Sequence, residues 1–144
     1  MHSRRILATL AATLALGPLA YTGCAGGGSQ LSARGSVVRV TERDFRLSAP
    51  RRLPAGDVTL SVRNRGPVAH ELIVVRKRGG PLPLRSDGLT IDEEGIESDE
   101  LGALEPADPG VRQMSFRLTP GTYEMFCNMA GHAMAGMHRR FVVN

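Results

Sequence analysis

Apolar and polar residues alternate along much of this chain with a period of two, the pattern of strands that bury one face. The clearest run is Val58-Thr59-Leu60-Ser61-Val62-Arg63-Asn64. Residues 37–40 alternate more weakly, 45–47 make a short strand candidate, and His70-Glu71-Leu72-Ile73-Val74-Val75 is a β-branched run suited to a central strand. Further strands are predicted over 114–118, 122–126 and 140–143. Turn residues punctuate them: Pro54-Ala55-Gly56, Asn64-Arg65-Gly66-Pro67, Gly79-Gly80-Pro81 and Thr119-Pro120-Gly121. Roughly seven short strands, without a long amphipathic helix or an internal repeat, predict an all-β sandwich. Aromatic residues make up only 4% of the chain, so the core must rest on Val, Leu and Ile.

One segment breaks the pattern. Residues 83–110 hold nine acids against a single base, Arg85, together with Pro83, Pro106 and Pro109. They read as an acidic loop insertion, with room for a short helix around 92–101. The formal charge of +4 therefore conceals two regions. With Arg4 and Arg5 set aside, the rest of the chain carries 15 bases and five acids. There is no helix-turn-helix pattern, aromatic stacking series or clustered basic stripe, which argues against nucleic acid as a partner. The acidic segment is either solvated surface or a docking element.

The N-terminus has a different character. Arg4 and Arg5 precede an apolar run over 6–16, which Gly17-Pro18 interrupts before the small-residue exit Thr22-Gly23. This is the layout of an export signal over 1–23, too short for a comfortable membrane span. Tyr21-Thr22-Gly23-Cys24 resembles a lipoprotein cleavage box, although Tyr21 replaces the usual aliphatic residue. Cys24 is the expected lipidation site, with ordinary secretion and a spare thiol as the other reading. Residues 24–36 then form anchor and flexible linker, and 37–144 a single domain. The expected location is extracytoplasmic, either in the periplasm or on the outer face of the cytoplasmic membrane.

Two cysteines in an exported chain would ordinarily pair. If Cys24 is acylated, Cys127 stands alone, and a metal is the simplest holder for it. Cys127, His132 and Met137 follow each other as Cys-x4-His-x4-Met. Five residues advance a helix by about 140° beyond a full turn, and an odd interval on a strand alternates faces, so neither element lets the three converge. A loop does, and Gly131 and Gly136 directly precede His132 and Met137. His70, at the start of its strand, supplies the second imidazole. A thiolate, two imidazoles and a weak thioether are the donors of a mononuclear blue-copper site. Met129 and Met134 lie too close to Cys127 and His132 to reach the axial position, and His138 should point away.

The stretch from Pro120-Gly121-Thr122-Tyr123 through Cys127-Asn128-Met129-Ala130-Gly131-His132 to Gly136-Met137 resembles that of cupredoxins, in their plastocyanin/azurin-like and sulfocyanin-like branches. The resemblance runs from about residue 37 to 144 and is strongest in the last 25 or so. It implies a Greek-key sandwich, one copper ion cycling between Cu(I) and Cu(II), and one-electron transfer, with His70, Cys127, His132 and Met137 as ligands. Two departures stand out: Glu71 follows the first histidine where Asn is common, and Ala130 replaces a common proline.

The expected function is an extracytoplasmic electron carrier. It would be monomeric, tied to the membrane by its lipid anchor, and would dock transiently on redox partner proteins through an apolar patch at Met129, Ala130, Ala133, Met134 and Ala135. A copper-binding lipoprotein for copper delivery or sequestration is the alternative. Beyond the blue site only His138 remains of the three histidines after the signal, too few for a second catalytic centre, so no enzyme activity is expected.

Overall fold

A computed structural model describes residues 35–144, within the unit formed by Ser32–Asn144. The expected signal, the lipidation site Cys24 and most of the linker lie outside the described residues. Among the described residues no helix is long and apolar enough to cross a membrane.

Among the described residues nine strands form two sheets. They are β1 (Ser36–Arg43), β2 (Arg46–Ser48), β3 (Arg52–Leu53), β4 (Gly56–Asn64), β5 (His70–Arg76), β6 (Glu100–Ala107), β7 (Gly110–Leu118), β8 (Gly121–Phe126) and β9 (His138–Val143). One sheet has the order β2-β1-β4-β7 and the other β3-β9-β8-β5-β6. The β1·β4 and β3·β9 pairs are parallel and the remainder antiparallel. All seven strands expected from the alternation are present.

The acidic segment departs from expectation. Only Glu94–Asp99 is helical, as a 3-10 turn, and Glu100–Ala107 is strand β6 rather than loop. Its alternation is poor because it is an edge strand, paired with β5 alone in its sheet. An edge tolerates the charge of Glu105 and the missing donor of Pro106, which a central strand would not. β3 has only two residues, too few for any pattern to show.

The main core lies between the sheets, built from Val38, Val40, Val58, Leu60 and Val62 on one side and Leu72, Val74, Tyr123, Met125 and Phe141 on the other. Cys127 and Met137 close one end of it. A second cluster sits outside the five-stranded sheet, where Ile91 and Ile96 of the acidic segment cover Ile73, Val75, Phe126 and Ala133. The acidic segment is thus a strap, and β5 is apolar at consecutive positions because both its faces are covered.

Candidate metal centre

The site forms where three connections meet at one end of the sandwich. β8 ends at Phe126, and residues 127–137 turn back to β9. The Phe126↔His138 pair closes the ladder beneath the loop. Inside it the backbone bonds to itself. Cys127 N–H donates to the Met137 carbonyl at 3.0 Å, Met137 N–H to the His132 carbonyl at 2.9 Å, and His132 N–H to the Met129 carbonyl at 2.9 Å. Gly131 and Gly136 take φ of 80° and 109°, the left-handed values a side chain resists.

This wrapping brings Cys127 Sγ to 3.4 Å from His132 Nδ1. His70, at the first position of β5, reaches the same point, its ring 5.2 Å from that of His132. One donor atom each of His70, Cys127 and His132 lie within 4.8 Å of one another, the only such group of His, Cys, Asp or Glu among the described residues that could hold a metal ion. His70, Cys127 and Met137 are fully buried, while His132 keeps an edge to solvent. Among the other candidates, Met134 is 49% exposed, and His138 turns outward to place Nδ1 2.9 Å from Glu124 Oε1. Cys127 is the free cysteine of the described residues.

The electrostatics fit a metal. Both ring nitrogens of His70 are buried without a hydrogen-bond partner. Nε2 does lie 3.1 Å from Asp44 Oδ1, but not in a hydrogen-bonding direction. Burial, then the nearby His132, pushes the His70 pKa down, which favours the neutral ring with one nitrogen lone pair available. Burial pushes the Cys127 thiol up, partly offset by the nearby backbone N–H groups of Glu71 and Met129. A buried thiol beside two imidazoles, one of them unpartnered, is an expensive arrangement for a chain that binds nothing. A soft sulfur with two imidazole nitrogens suits a borderline-to-soft transition ion.

Several supporting residues escaped the sequence. Asn128, next to Cys127, clamps the loop to the strap: its Oδ1 accepts the Ile91 N–H at 2.6 Å, and its Nδ2 donates to the Ile91 carbonyl at 3.0 Å and to Glu93 Oε1 at 2.7 Å. Gly131 N–H adds a bond to the Leu89 carbonyl at 2.9 Å. No local pattern announces this contact, since it joins residues 37 positions apart. Glu71, singled out as a departure, has its carboxyl near the Asn128 backbone N–H, which works to lower its pKa. Burial and the neighbouring Glu93 raise its pKa to about 7.

Phe45 sits edge-on to His132 at 5.3 Å, in the turn from β1 to β2 and with a φ of 59° unusual for its type. Gly66 passes so close to His70 that a Cβ there would lie 2.8 Å from Nε2. One expectation about the surface is corrected: Ala133 is buried against Ile91 and Phe126, so it is no part of an exposed patch. The exposed apolar residues around His132 are Phe45, Ala130, Met134 and Ala135.

No protein-family model and no curated protein sequence matches the chain, but solved structures do. Auracyanin from the photosynthetic bacterium Roseiflexus castenholzii, in its dithionite-reduced form, aligns with a TM-score of 0.56 at 16% identity, over 76% of this chain and 98% of the other. Auracyanin B gives 0.56 at 22% identity, over 76% and 88%. Rusticyanin from Thiobacillus ferrooxidans gives 0.55 at 17% identity, over 76% and 79%. At such identities the likeness defines the fold, which is the cupredoxin β-sandwich. On that fold the chain carries a buried His–Cys–His group able to hold a metal ion.

Proposed function

We propose that this protein is a type 1 copper protein, a one-electron carrier of the cupredoxin family that works outside the cytoplasm. The observation that carries the reading is the convergence of His70, Cys127 and His132 on one buried point. Structural neighbours include rusticyanin, which is described as a copper protein. The ligands would be His70, Cys127 and His132, with the Met137 thioether as a weaker fourth donor. A copper ion held there would supply a reversible Cu(I)/Cu(II) couple.

The chain's own part is to keep those donors still. Loop bonds, the Asn128 clamp and the sandwich core hold Cys127, His70 and Met137 in place, so a bound copper would meet the same donors whether oxidised or reduced. Burial excludes water from the sulfur. His132 is the donor with an edge to solvent, and Phe45, Ala130 and Met134 around it offer a small, uncharged surface. Such a surface suits brief docking of a redox partner, since weak redox encounters use small interfaces. Copper delivery is the less favoured role: Cys127 and Met137 are fully buried, and release to an acceptor needs exposed donors. In this reading residues 1–23 direct export and Cys24 carries the lipid.

The test is to add Cu(II) to the purified protein and record its visible spectrum beside that of Cys127→Ser. The expected result is an intense charge-transfer band in the parent and none in the variant. A colourless parent would end the proposal.

A further inference from the structure

The outer face of the four-stranded sheet is strongly one-signed. Its charged side chains are Arg39, Arg43, Arg46, Arg63 and Arg117 against Asp57, all exposed. Asp57 is taken by Arg117 at 3.2 Å. The other four arginines make no ion pair or side-chain hydrogen bond among the described residues. All fourteen acids of the chain lie within 35–144, so no carboxylate side chain of residues 1–34 is left to neutralise them. Arg39 is registered beside Ser61, and Thr41 beside Arg63. These four side chains and Arg65 line a shallow depression of about 290 Å³ that contains no acid. Val37 and Val111 on the same sheet are 67% and 52% exposed, an unusual display for valine.

Guanidinium groups, hydroxyls and bare apolar side chains on one face match the interface of an anionic bilayer, where phosphates lie above acyl chains. The chain's connectivity points the same way. β1 is the first strand among the described residues, and Cys24 lies twelve residues before Ser36. A Gly/Ser-rich linker of that length, as the composition before Ser36 predicts, would span about 20 Å. A lipid on Cys24 would therefore hold this sheet against the membrane at high effective concentration.

We propose that the outer face of the β2-β1-β4-β7 sheet docks on anionic phospholipid, with a headgroup phosphate seated among Arg39, Arg63 and Arg65. The tether argument rests on the anchoring part of the functional reading; the charge argument does not. Docking this way leaves the five-stranded sheet and the strap facing away from the bilayer.

The experiment is flotation of the full-length protein with vesicles of phosphatidylcholine alone or mixed equally with phosphatidylglycerol. Arg4 and Arg5 of the N-terminal segment also favour the anionic vesicle, so the face is read from variants that share that segment unchanged. The expected result is a preference for phosphatidylglycerol that Arg39→Gln/Arg43→Gln/Arg63→Gln weakens roughly a hundredfold, since each basic residue near such a surface contributes about 1 kcal/mol. None of the three makes a side-chain contact that the fold needs, and unchanged Tm confirms that it is intact. A control of equal charge, Arg51→Gln/Arg52→Gln/Arg140→Gln, keeps the preference. Equal binding to both vesicles overturns the proposal while leaving the anchor intact. Equal loss in both triple variants also overturns it, because net charge alone would then explain the binding. A preference that survives in a Cys24→Ser chain and is lost when Arg39→Gln/Arg43→Gln/Arg63→Gln is added confirms the face even if the anchor reading fails.

Discussion

The loop of residues 127–137 and the strap beside it are built on opposite principles. Residues 127–137 contain no Asp, Glu, Lys or Arg, and take their shape from their own backbone bonds and two glycines. Residues 83–99 carry six acids and one base. They take their shape from a few anchors: the Leu84↔Ile91 bridge, the Asp87 carboxylate accepting the Leu89 and Thr90 N–H groups, and Ile91 and Ile96 pressed onto the sheet. Charge repulsion alone would keep such a segment extended. The difference teaches a division of labour: chemistry sits where the chain specifies its own conformation, and the region that holds it in place borrows its conformation from the fold.

Several substitutions would break or sharpen that contrast. The largest effect belongs to Cys127→Ser, which removes the one soft anionic donor and abolishes the charge-transfer band. Next, Met137→Leu leaves the band but raises the reduction potential, since loss of an axial donor in a dry site favours Cu(I). Voltammetry reads it, and an unmoved potential would remove Met137 from the ligand set.

Asn128→Ala tests the strap directly. It leaves the Ile91 N–H and carbonyl without their partner, at a cost of about 2–3 kcal/mol. Amide exchange should quicken in both the strap and the loop. Faster exchange in the strap alone would show that the loop does not depend on it.

The effect of Glu71→Gln is smaller and specific to pH. The Glu71 carboxyl binds its proton more tightly folded than unfolded, where its ordinary value is 4.5. Its contribution to the stability of the metal-free protein is therefore fully present below pH 4.5, is lost as pH rises to about 7, and is absent above. Allowing for solvent screening, this group contributes about 1–2 kcal/mol to the slope, which Gln removes. Tm against pH measures it. The smallest effect is that of Met134→Ala, whose exposed side chain should change neither colour nor potential.

The strand alternation was legible, because a half-buried strand must repeat every two residues whatever it pairs with. Edge strand β6 was not, since Glu105 and Pro106 are tolerated only for lack of a second neighbour. The patch around His132 was only half legible. Ala133 looks like surface in a loop of small residues, yet Ile91 covers it. Phe45 sits beside His132 through a turn 87 positions earlier.

By itself the sequence determined what is local: the donor types, their equal intervals, and the glycines that let the loop wrap. A loop of eleven residues closed by its own hydrogen bonds carries that information within itself. The tertiary structure decided what is long-range: that His70 meets Cys127 and His132, that Met137 is enclosed and Met134 is not, and that an acidic strap clamps the loop through Asn128. Those outcomes depend on which sheet faces pack together. A side chain's burial belongs to its neighbours in space, and the order of residues does not name them.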